Sequence, residues 1–126
     1  MRSSFIGNPA GSNPADLVTV QLLDGDPLVV RVAGRLLFDT LPPLTEALSG
    51  LDPAEHPRVV LDLAEVPMCD SSALNLLVRT RASRLDAGGW LRLAAVQPMV
   101  DNVLKLTNLS WILPVFRTAE AAATHT

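Results

Sequence analysis

Arg58-Val59-Val60-Leu61-Asp62-Leu63 is almost unbroken in apolar side chains, and it lies between two stretches with helical spacing. A strand that alternates apolar and polar residues can leave one face in water, but a continuous apolar run needs cover on both faces. Strands separated by helices pair in parallel through right-handed crossovers, which pack the helices against the sheet. This one segment therefore points to an α/β sheet with a buried central strand. The chain has 126 residues, 48% hydrophobic and 18% charged, enough for one core and too few for two domains.

The other elements arrange themselves around that strand. Leu17–Leu23 reads as a strand, Asp24-Gly25-Asp26-Pro27 as a turn and Leu28–Ala33 as a second strand, which together predict an antiparallel hairpin. Leu41, Leu44 and Leu48 form one helical stripe, with Asp39 or Thr40 as the expected cap and Pro42 and Pro43 in the first turn. After Pro67-Met68-Cys69-Asp70 a helix opens at Ser71 or Ser72, with Leu74, Leu77, Val78, Ala82 and Leu85 on its expected inner face. Leu61, Leu63, Leu74, Leu77 and Val78 are expected in the core. Gly88-Gly89 stops that helix, Trp90–Val96 is a strand, and Pro98 opens a helix that ends near Asn108. Pro114–Arg117 is a short last strand, and Thr118 caps a brief Ala-rich helix. The order β-β-α-β-α-β-α-β-α gives a mixed sheet covered by helices. Residues 1–15, rich in Ser, Asn, Gly and Pro, read as a flexible leader ahead of a single domain over 16–123.

Composition excludes several kinds of function. With 13 acidic and 10 basic residues the net charge is -3, which leaves no electrostatic footprint for nucleic acid. The longest apolar run, Trp111–Phe116, contains Pro114 and is too short to span a bilayer. The N-terminal stretch lacks the apolar segment of a secretory signal, so a cytoplasmic location is expected. Cys69 is the one cysteine, which excludes an internal disulfide and a thiolate-rich metal site. No metal or cofactor is expected. His56 lacks a nucleophile beside it, Asp24-Gly25-Asp26 lacks the later ligands of a calcium loop, and Gly88-Gly89 follows a helix instead of opening one as a phosphate loop would. Cys69 precedes a helix start that would favour a thiolate, but the neighbouring Asp70 opposes it. A small thiol- or nucleotide-dependent enzyme using Cys69 or Ser71 is thus a minor alternative.

Asp70-Ser71-Ser72 can be read in two ways. It is ordinary capping chemistry, and it also exposes a hydroxyl beside the positive end of a helix, where a phosphate would be favoured. On geometry Ser71 is the expected cap, pointing outward, and Ser72 a structural residue one position inside.

The stretch Leu61–Leu74 resembles the signature of the STAS family, the anti-sigma factor antagonists of bacteria. Leu28–Leu36 is similar to the family's second strand and Gly-x-Leu turn, and Gly88–Leu93 to its Gly-Gly-x-Leu strand entry. Pro98–Leu109 is similar to its third helix and Thr-Gly-Leu end. The resemblance implies a partner-switching protein rather than an enzyme. It would bind an anti-sigma factor that is also a serine kinase, a histidine-kinase-like ATPase, and so free a sigma factor. The kinase would phosphorylate Ser71 and a serine phosphatase would reverse it. The docking face implied comprises Asp70, Ser71, Ser72, Asn75 and Arg79, with Arg35 and Asp39 on the loop beside them. Two positions depart from the family pattern: Leu37 stands where an acidic residue is usual, and Ala73 where Gly follows the serines. They fit a divergent antagonist or, alternatively, a STAS adaptor of a signalling or transport assembly that is not phosphorylated.

Overall fold

The computed structural model describes residues 3–7 and 17–125. Strand β1 (Ser3–Gly7) pairs antiparallel with β2 (Thr19–Leu23), and β2 pairs antiparallel with β3 (Leu28–Ala33) across the expected turn. Beyond β3 every pairing is parallel: β3 with β4 (Arg58–Glu65), β4 with β5 (Trp90–Ala94), and β5 with β6 (Val115–Phe116). The sheet runs β1-β2-β3-β4-β5-β6, so sequence neighbours are also spatial neighbours. Helices α1 (Pro42–Ser49), α2 (Ser71–Asp86), α3 (Pro98–Leu106) and α4 (Ala119–Thr124) fill the crossovers and the tail. The mixed α/β sheet covered by helices is thus as the sequence implies.

In β4, Val59 through Leu63 are all buried. Val59, Leu61 and Leu63 face the main core with Leu44, Leu74, Leu77, Leu91 and Leu104. Val60 faces the other way, into a small cluster with Ala94 and Ala122 of α4. Asp62 shares that second face, where Arg31 Nε lies 3.4 Å from its carboxylate and Ala64 N–H donates to it. The continuous apolar run is explained: one side carries the core and the other a thin lid. Arg92 holds that lid in place by stacking on Trp90, 3.7 Å from the ring centre, and donating to the carbonyls of Ala122 and His125.

Two glycines show why the strand ends read as they do. A Cβ on Gly34, whose φ is +114°, would lie 2.4 Å from the Leu17 carbonyl oxygen. A Cβ on Gly89 would lie 1.9 Å from the Pro57 carbonyl oxygen, where Trp90 N–H completes the start of β5. At the end of α3, Asn108 adopts φ 64°, a left-handed conformation that Asn tolerates better than most residues.

Four expectations need correction. Within the supposed leader, Ser3–Gly7 form β1, because an edge strand gains its place from backbone hydrogen bonds with β2 and needs no apolar pattern. The remainder of that leader lies outside the described residues. Helix α1 has no side-chain cap: its N-cap is Leu41, and the Thr40 hydroxyl instead donates to the Arg35 carbonyl at 2.6 Å and accepts from Leu37 N–H at 2.9 Å. Helix α2 is capped by Asp70, not Ser71. Its inner face is also rotated from expectation. Ala73, Leu74, Leu76, Leu77, Thr80 and Arg84 are buried, Val78 is half-buried, and Ala82 and Leu85 are exposed. Thr80 can point inward because its hydroxyl donates to the Leu76 carbonyl, and Arg84 because its aliphatic stem packs like an apolar residue.

Candidate partner-docking site

The loop that follows β3 and the loop that precedes α2 are stitched together. Leu36 N–H donates to the Met68 carbonyl and Asp70 N–H to the Leu36 carbonyl, both at 3.0 Å. Upstream, Gly34 N–H donates to the Glu65 carbonyl. The Asp70 side chain then joins three backbone donors from two segments. Its Oδ1 accepts from Ser72 and Ala73 N–H at 2.9 and 3.2 Å, and its Oδ2 accepts from Phe38 N–H at 2.8 Å. A cap normally needs one oxygen; here the second oxygen reaches out to hold a loop 32 residues away. Carboxylate bonds to backbone donors at a helix N-terminus are charge-assisted and reinforced by the dipole.

Beside this clamp runs a groove of about 430 Å³ lined by Phe38, Leu41, Pro42, Thr45, Glu46, Ser72, Asn75 and Arg79. Phe38 is 77% exposed, an unusual position for a Phe in a loop held at both ends. Ser71, exposed, is the first helical residue and immediately precedes Ser72. Thus Ser72, Asn75 and Arg79 meet in one groove, Asp70 fixes its loop, and Ser71 stands next to it. Asp39 is exposed on the same loop, between Phe38 and Thr40. Arg35 is half-buried and does not line the groove; its carbonyl anchors Thr40. The sequence reading set the Gly34–Asp39 loop beside this face without singling out Phe38, and it missed the α1 side: Leu41, Pro42, Thr45 and Glu46. Phe38 was the available signal, a large apolar residue that belongs to no stripe.

Cys69 is half-buried, and burial together with the adjacent Asp70 carboxylate pushes its thiol above the ordinary range. A thiolate is disfavoured there. Among the described residues no group of three or more His, Cys, Asp or Glu is placed to hold a metal ion. No helix among them is long and apolar enough to cross a membrane.

The STAS domain profile matches residues 18–122. Of the solved structures, an anti-sigma factor antagonist from Mycobacterium paratuberculosis is 28% identical, with a TM-score of 0.78 over 90% of this chain and 96% of that one. The Bacillus cell fate determinant SpoIIAA in its phosphorylated form is 17% identical, with a TM-score of 0.63 over 81% of this chain and 95% of its own. A sulfate transporter family protein from Wolinella succinogenes is 20% identical, with a TM-score of 0.66 over 77% of this chain and 81% of its own. The last two likenesses are of fold alone. No curated protein matches the sequence significantly.

Proposed function

The chain belongs to the STAS domain family, and on that premise we propose that it is an anti-sigma factor antagonist, a regulatory binding module switched by phosphorylation of Ser71. The likeness to the mycobacterial antagonist supports the antagonist role. The observation that carries the switch is the Asp70 clamp, which ties the start of α2 to the Phe38 loop over the groove. The partner is an anti-sigma factor with serine kinase activity, and a serine phosphatase restores the binding form.

The clamp explains how a phosphate at Ser71 would act. A phosphoryl group adds roughly -1.5 to -2 charges at neutral pH. The helix-start donors at Ser72 and Ala73 that such a group would seek are already held by Asp70. The new anion must therefore repel Asp70 or displace it, and displacement releases Phe38 from one wall of the groove. In either case the docking face that binds in the unmodified state is lost. Asn75 and Arg79, exposed on α2 and lining the groove, supply polar contacts to the partner. Asp39 lies close in sequence to Phe38 and contributes charge at the edge of that face.

Leu37 favours a second reading. The usual acidic residue is absent there, and the loop is closed by Thr40 instead. A STAS adaptor that docks through the same groove without being phosphorylated would keep the clamp and dispense with the switch.

A binding titration against the cognate kinase separates these readings. Ser71→Asp is expected to weaken binding at least tenfold, about 1.4 kcal/mol, and Ser71→Ala to leave it intact. Asn75→Ala and Arg79→Ala should weaken binding without changing Tm. Wild-type affinity in Ser71→Asp would favour the adaptor. Loss of binding from changes near Trp90, with Asn75 and Arg79 variants unaffected, would show that docking uses another face.

A further inference from the structure

At the far end of α2 a guanidinium is buried with little to hold it. Arg84 is 2% exposed, yet among the described residues it keeps only two long hydrogen bonds, to the Leu51 carbonyl at 3.4 Å and to the Ser83 hydroxyl at 3.5 Å. Its Nε is buried and finds no acceptor among the described residues. Buried charges are ordinarily paired, and an unpaired one is costly. The exposed Asp52 carboxylate acts on Arg84 through space, but its Oδ1 is occupied by Ala54 N–H, and burial lowers the pKa of the guanidinium despite it.

Arg84 lines a cleft of about 190 Å³ between α1 and α2, several times the roughly 30 Å³ that a water molecule occupies in the liquid. Its polar lining comprises Arg79, Arg84 and the hydroxyl-bearing Thr45, Ser49, Thr80 and Ser83, with no carboxylate. The Thr80 hydroxyl is committed to the Leu76 carbonyl. Two guanidinium-bearing residues facing one cleft are unexpected on a chain of net charge -3. The C-terminal end of α1 opposes an anion here, but a dipole end is weaker than two guanidinium charges.

We propose that this cleft binds a small tetrahedral oxyanion, inorganic phosphate or sulfate, with Arg84 and Arg79 as charge partners and Ser83, Ser49 and Thr45 as hydroxyl donors. The cleft adjoins the docking groove, with which it shares Thr45 and Arg79, but it does not include Ser71 and does not depend on the antagonist reading. The anion would supply a charge partner for Arg84 at the cleft wall, while Nε stays enclosed beneath it.

Thermal melts and calorimetry of the full chain in inorganic phosphate, against chloride at equal ionic strength, test this. Phosphate should bind saturably and raise Tm by roughly 4 °C or more well above its Kd, and Arg84→Met should abolish the response. Should Arg84→Met fail to fold, Ser83→Ala with Thr45→Val is expected to weaken phosphate binding severalfold while the protein stays folded. Equal melts in phosphate and chloride would overturn the proposal. So would an unchanged response in Arg84→Met, or binding of ATP without binding of inorganic phosphate.

Discussion

The two ends of α2 manage charge in opposite ways. At the N-terminus Asp70 accepts from three backbone donors between 2.8 and 3.2 Å, and the charge is fully used. At the C-terminal end Arg84 is more deeply buried and, among the described residues, holds two bonds of 3.4 and 3.5 Å and leaves Nε without a partner. The first end is a finished structural joint to which a switch can be attached. The second is an incomplete one, as expected of a place where something else binds. A charged residue near a helix end is thus not in itself a measure of stability; what matters is how many of its donors or acceptors are engaged.

Leu77→Ala gives the scale against which both ends are measured. Leu77 is 2% exposed in the core between α2 and the sheet, so its truncation should cost about 2 to 5 kcal/mol in denaturant unfolding. A loss below about 1 kcal/mol would show that α2 packs in a different phase. Asp70→Ala should come next. It removes a cap and releases the exposed Phe38 N–H to water, for a cost of about 0.5 to 2 kcal/mol. Hydrogen exchange should locate the loss at residues 36–40 as well as in the first turn of α2. Exchange confined to the helix would break the link between clamp and loop. Arg84→Met in phosphate-free buffer should have the smallest effect, within about 1 kcal/mol in either direction, because an underpaired buried charge gives way to an apolar side chain of similar length. A large destabilisation would mean that the two long bonds of Arg84 are stronger than their lengths suggest.

The same contrast divides what could be read from the sequence. The mixed sheet and the chain order of elements from β2 to α4 followed from periodicity and turn residues, with β4 fixed by its unbroken apolar run; the order of strands across the sheet did not. Asp70-Ser71-Ser72 announced a helix start, but not that Asp70 rather than Ser71 would cap it, since either side chain can accept from the first turn. That Asp70 also reaches Phe38 depends on how β3 and β4 pair, and no local pattern carries that information. The second half of α2 misled because two polar residues, Thr80 and Arg84, face inward while Ala82 and Leu85 face out. Strand β1 was hidden for a related reason: an edge strand is selected by backbone pairing, which leaves little trace in a polar sequence.

Mass spectrometry of the unmodified chain after incubation with its cognate kinase and ATP tests the switch most directly. Ser71 is exposed at the first helical position beside the Asp70 clamp, and a single phosphate on Ser71 is the expected product. Phosphate on Ser72 alone, or no phosphate under conditions where the kinase modifies its own substrate, would contradict it.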